Sequence, residues 1–217
     1  MISFRPTANR RFNELMGVLL LVAATLVVLA LVSYHPADPS PDTAGFLTRP
    51  ANWVGPAGAW LADLLFQGFG IAAFLLAAGL AGWARRWFLG RPAAARRQSP
   101  VQAWAAPSGL LLTMIATGAV LAEIPWHFNW RSAVPCQGMA GTLLANALIA
   151  LFNPLGAGIL TLAALIVGIF LCTRFSFTAA RDWMVLRLGP YAGPALRPLL
   201  APYRALVAWR QRRQALV

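Results

Sequence analysis

Four apolar stretches dominate this chain, and each is long enough to cross a bilayer, which takes roughly 20 residues at about 1.5 Å of rise per residue. They run over Leu15 to Val32, Trp60 to Trp83, Trp104 to Leu121 and Leu155 to Thr173. Inside hydrocarbon a lone segment satisfies its backbone polar groups only as a helix. The expected fold is therefore all-α: an integral membrane bundle of four transmembrane helices over residues 15–173, preceded by a segment 1–14 and followed by a basic tail 174–217. Only 11% of the residues are charged, against about a quarter in soluble domains.

The first stretch is longer than the roughly 7 to 15 apolar residues of a secretory signal. The sequence Leu31-Val-Ser-Tyr-His-Pro36 after it offers no small-residue cleavage site, so it reads as a retained signal-anchor helix. Orientation follows from the arginines, because positive flanks stay cytoplasmic. Arg5, Arg10 and Arg11 precede the first helix, five arginines (85, 86, 91, 96, 97) follow the second and eight follow the fourth, whereas the other two loops hold Arg49 and Arg131 alone. Both termini are expected on the cytoplasmic side, with the loops His35–Pro56 and Ile124–Pro154 facing outward. Tyr34, Trp53, Trp60, Trp126 and Trp130 fall at the outer headgroup zone and Trp83, Trp87, Trp104 and Trp183 at the inner one, as interfacial anchors do.

Each of the 18 basic residues is arginine. A chain without lysine holds no P-loop lysine, Schiff-base lysine or Ser/Lys dyad. The acidic and histidine residues of the outer loops (Asp38, Asp42, His35, His127) and Cys136 match no metal-ligand spacing, so no metal or cofactor is expected. Cys136 and Cys172 are expected on opposite sides of the membrane, too far apart for a disulfide.

Polar groups within the helices are few. Asp63 and Gln67 share one helix face about a turn inside the outer end, where a carboxylate also meets the positive end of the helix dipole. This reads as a structural pair; an ion relay or an inter-subunit contact are the other readings. Glu123, at the outer end of the third helix, is expected to pair with Arg131 or Arg49 or to be solvated. Met139 to Phe152 is apolar but too short to span, and Asn153-Pro154 closes it, so a short interfacial helix is expected before the fourth span. With the strip Trp126-His-Phe-Asn-Trp130 it presents either a docking surface or a lid on its own bundle. Ala73, Ala77 and Ala81, Ala78 with Gly82, and Ala164 with Gly168 are small residues at four-residue spacing, suited to close helix packing within a bundle or between copies. The tail, ending in the basic stretch Tyr203 to Gln214, is expected to lie on the anionic inner leaflet.

Two runs carry a resemblance. Ser33-Tyr34-x-Pro36-x-Asp38-Pro39-Ser40 after the first helix, and Gly55-Pro56-x-Gly58-Ala59-Trp60-Leu61-Ala62-Asp63 opening the second, resemble the four-helix membrane region of the FtsK/SpoIIIE family of DNA translocases, as does Arg10-Arg-Phe-Asn-Glu-Leu15 before the first helix. The resemblance covers about residues 9 to 180. It implies a multi-pass protein of the bacterial inner membrane, enriched at the division septum and held there as a homo-oligomer with other division proteins, anchoring a linker and an ATP-driven motor that moves DNA. No motor motif occurs here, so contact with DNA would run only through a motor outside this sequence, and no catalytic residue carries over. The expected function is a membrane anchor and division-site scaffold. The alternative is a small transporter or channel subunit, although Asp63 and Gln67 stand nearly alone and no inverted repeat is evident.

Overall fold

The computed structural model describes residues 6–7, 9–40, 49–89, 100–125, 129–130 and 134–173. The tail beyond Thr173, with Trp126, Arg131 and Trp183, lies outside them. Helix α1 spans Arg10–Val32, α2 Gly55–Phe69, α3 Phe74–Leu89, α4 Pro100–Glu123 and α5 Gly138–Cys172, with a 3₁₀ turn at Gly70–Ala73. Four helical stretches are long and apolar enough to cross a membrane: α1, α2 through α3, α4 and α5. The chain is the all-α four-span bundle that its hydropathy predicts.

Several boundaries differ from the sequence expectation. Helix α1 starts five residues before the apolar run, because Asn9 caps it by accepting the Phe12 N–H at 3.3 Å and Arg10 pairs with Glu14 one turn on at 2.8 Å. The second span starts at Gly55 rather than Trp60, with Pro56 in the first turn, where its missing N–H costs nothing.

That span is also broken, at Gly70. Gly70 adopts φ +57°, and a Cβ there would collide with the Cys136 carbonyl. The break frees the Ile71 N–H, which donates to that same carbonyl at 2.9 Å. Irregular backbone at this depth persists only where protein satisfies it, and here the turn before α5 does so. Cys136 thus stands in an outer turn, as expected, but one that is bonded to the break in the second span. The segment that includes it folds back on the bundle, with Asn129–Trp130 paired antiparallel to Val134–Pro135 and Gly138 seated against the Gly70 backbone.

Helix α5 is broken as well. Asn153 has φ 58° and ψ 168°, and Pro154 opens the second half, so the expected short helix, Gly138 to Phe152, precedes the fourth span.

Helices α1 and α3 run antiparallel. Phe12 meets Trp87 edge-on at 6.1 Å and Gly17 lies against the Phe88 ring at one end; Ala73 and Ala77 join the core with Val27, Ala30 and Leu31 at the other. The 16 residues of α3 rise about 24 Å. Helix α2 thus joins the bundle at the outer end of α1. Two of the tryptophans predicted as interfacial anchors instead pack against other rings of the bundle, Trp130 while only partly buried. Trp87 is buried, and Trp130 stacks on Phe66 at 6.2 Å and meets Phe74 at 5.9 Å. Trp53, Trp60 and Trp104 are exposed, as anchors should be. Of the small-residue stripes, Ala73, Ala77 and Gly168 serve packing within the bundle, whereas Ala78, Ala81 and Gly82 are exposed.

Candidate functional site

The residues that carry the family resemblance converge at the outer ends of α1 and α2. Ser33, the C-cap of α1, donates its hydroxyl to the Leu29 carbonyl at 2.6 Å and accepts the Trp53 N–H at 3.0 Å. Asp38 is buried, and its two carboxylate oxygens accept the Ala51 N–H at 2.6 Å and the Asn52 N–H at 3.0 Å. Bonds of this kind to a charged acceptor are the stronger class. Asn52, which the sequence reading missed, closes the clasp: its amide donates to the Ala30 carbonyl at 2.8 Å and its side-chain oxygen accepts the Val54 N–H at 3.0 Å. A Cβ on Gly58 would strike that same oxygen, so the helix approaches the clasp only with glycine there. Pro36 lies in the turn that the Asp38 N–H closes by donating to the His35 carbonyl at 3.0 Å, and Pro39 and Ser40 follow it directly.

Asp63 forms the second half of the site. It is 7% exposed, and its oxygens accept the Tyr34 hydroxyl at 3.1 Å and the Gln67 amide at 3.0 Å. Helix α2 begins eight residues earlier, so Asp63 stands in the third turn. The predicted help from the helix dipole, which fades beyond the first turn, does not reach it; the two donors take that role. Ala59 and Ala62 are buried beside Asp63, while Trp60 is exposed. Phe66, fully buried, packs under the Tyr34 ring at 5.1 Å. Burial, with the charge of Asp63 beside it, pushes the Tyr34 phenol up to about 12, so the hydroxyl remains a donor.

Glu123 forms no ion pair with Arg49, and Arg131, its other expected partner, lies outside the described residues. Glu123 accepts the Thr161 hydroxyl of α5 at 2.9 Å, and its other oxygen is buried with no partner among the described residues. The one ion pair among the described residues is Arg10 with Glu14. In the same set no three His, Cys, Asp or Glu side chains gather as metal ligands do. The two cysteines are free.

A four-span helical bundle whose motif residues are spent on fastening one helix end to the next is, as a class, a polytopic membrane domain. The chain belongs to the FtsK/SpoIIIE family of DNA translocases, whose four-transmembrane region matches residues 9–185. It is similar to a DNA translocase FtsK of Shewanella oneidensis, 30% identical over 156 residues that make up 72% of this chain and 17% of that protein. The corresponding protein of Vibrio vulnificus is 28% identical over 84% of this chain and 18% of its own length; that of Rickettsia prowazekii is 27% identical over 80% and 21%. The chain thus spans about a fifth of the length of these curated relatives. No solved structure matches it.

Proposed function

We propose that this chain is the membrane anchor and division-site scaffold of an FtsK-type DNA translocase, coupling septum formation to chromosome segregation. The observation that carries the reading is the match of the whole bundle, residues 9–185, to the family's membrane region. Support also comes from the chemistry of the buried polar groups: Asp63, Asp38 and Asn52 are consumed by hydrogen bonds that hold the fold. On this reading the arginine-rich side faces the cytoplasm of a bacterial inner membrane and the clasp faces outward. The bundle acts as a homo-oligomer with other division proteins, and DNA is met only by a motor carried on the cytoplasmic side.

An antibody raised against the peptide Arg204 to Val217 tests this in membranes of the source cell. A band several times 23.3 kDa that gathers at septa is expected. A diffuse protein, absent from division sites, would overturn the scaffold reading. Asp63→Asn separates it from transport: an anchor keeps its septal position, whereas a transporter relying on that carboxylate loses flux.

A further inference from the structure

Four described residues have positive φ: Gly55, Gly70, Gly138 and Asn153. The first two are fifteen residues apart, and so are the last two. The sequence between them repeats. Gly55-Pro-Ala-Gly-Ala-Trp-Leu-Ala-Asp63 aligns with Gly138-Met-Ala-Gly-Thr-Leu-Leu-Ala-Asn146, and over residues 55–70 against 138–153 seven of sixteen positions are identical, ending in Phe69 and Phe152 just before each break.

The helices before these segments correspond as well. Gly17, Ala24 and Val27 are buried on α1, and 92 positions on Gly109, Ala116 and Ala119 are buried on α4. Gly17 lies against Phe88 near the end of α3, while Gly109 lies against Leu171 near the end of α5. The returning segments, the 3₁₀ turn with α3 and the second half of α5, bury Ala73, Ala77 and Ala84 in one case and Ala157, Thr161 and Gly168 in the other. Each half is therefore one spanning helix, an outer turn, a short outer helix opened by a positive-φ glycine, a break, and a returning span. Both halves run in the same direction, so this is a parallel repeat, not the inverted kind.

The halves differ in what covers the short helix. In the first, Gly138 of the second half sits on the Gly70 break and Trp130 stacks on Phe66, so that α2 is roofed and Asp63 is buried. In the second, the matching face is bare. Asn146, at the place of Asp63, is exposed. Around the Asn153 break, Leu151 is 76% and Leu155 82% exposed. The outer turn that would roof it in a continued series is that of a first half, and that turn is open in this chain: Trp53 is 71% exposed, and nothing lies within 4 Å of where a Cβ on Gly55 would stand.

We infer that the membrane domain is an internal duplication, and that the bare seat around Asn153 receives the Trp53–Gly55 turn of a second copy, head to tail. Asn153 carries a side chain where Gly70 has none, so the incoming turn meets its carboxamide rather than bare backbone. Such a contact is heterologous, joining two different surfaces, and propagates into a ring or chain rather than stopping at a pair.

The test is cysteine crosslinking in native membranes with a short bismaleimide, in a Cys136→Ser, Cys172→Ser background. The double variant Trp53→Cys, Leu155→Cys is expected to give a ladder extending beyond dimer. Each single variant alone is expected to give monomer, and the two co-expressed to give dimer. A dimer from Leu155→Cys alone, or no product from the double variant, overturns the proposal. Because the serine background can impair folding, native mass measurement on the unaltered protein gives a second reading. Multiples of the protomer mass that fall to monomer on Leu151→Glu, Leu155→Glu support the contact. A monomeric wild type, or multiples untouched by those two surface substitutions, refutes it.

Discussion

Replacing Gly70 by alanine tests the logic of the broken second span most directly. At φ 57° and ψ −141° the backbone lies in a region open essentially to glycine, and forcing another residue there costs about 1–3 kcal/mol. The added methyl also collides with the Cys136 carbonyl, so the turn must withdraw. The Ile71 N–H then loses its acceptor in an apolar setting, worth about 1–3 kcal/mol more. Together the loss is roughly 2–6 kcal/mol. At about 2–4 °C per kcal/mol for a chain of this size, the melting midpoint should fall by on the order of 10 °C, followed by near-UV circular dichroism in detergent. Gly82→Ala is the matched control, because a Cβ there meets nothing within 4 Å and helix propensity alone favours it by about 1 kcal/mol. If Gly70→Ala melts like wild type, or if both substitutions lose equally, the break is not held by the contact with the Cys136 turn.

Three further outcomes follow from the site. Tyr34→Phe should cost about 1 kcal/mol. In the native protein the Tyr34 proton contributes stability fully below its ordinary pKa of 10.0, lost as pH climbs toward about 12; phenolate absorbance should show one tyrosine titrating late, and that late component should vanish in Tyr34→Phe. Asp38→Ala strands the Ala51 and Asn52 N–H groups and should destabilise by about 2–3 kcal/mol, exposing the Trp53 turn to protease added from the outer side; unchanged resistance would deny Asp38 its clasp role. Thr161→Val should cost about 1–3 kcal/mol by leaving Glu123 with a second unpaired oxygen, whereas Thr117→Val, whose hydroxyl only returns to the Thr113 carbonyl of its own helix, should cost little; equal melting shifts would place Glu123 in water.

The spans were legible because hydrocarbon imposes a length and an apolarity that composition cannot hide. The motif runs were legible as a unit, but not what they do. Asn52, which touches α1, the turn and α2, carries no sequence signal beyond being an asparagine before a glycine-proline pair. The Gly70 break escaped notice because an isolated glycine in a membrane helix is common; only the arrival of Cys136 and Gly138, more than sixty residues later in the chain, distinguishes it. The tryptophans failed for a related reason. An aromatic at the expected depth reads the same whether it stands exposed, as Trp104 does, or against a neighbouring ring, as Trp130 does.

The proposed anchoring role carries its own mechanical demand. A motor working on the cytoplasmic side would load this domain through the chain that leaves α5 after Cys172. The last carbonyls of a helix have no intrahelical donors, so that is where the load would first unwind it. Arg86 of α3 meets the need: its guanidinium donates to the Cys172 carbonyl at 3.1 Å, tying the end of the fourth span to the second with the charge sign that a helix C-terminus favours. Arg86→Met keeps the apolar stem and removes the donor. Hydrogen exchange at the amides of 169–173 should then speed several-fold, equivalent to about 1 kcal/mol of lost local protection, while the turn around Thr161 stays unchanged. If the two regions exchange as before, the tether bears nothing, and the load path must run instead through the close contact of Gly109 with the end of α5.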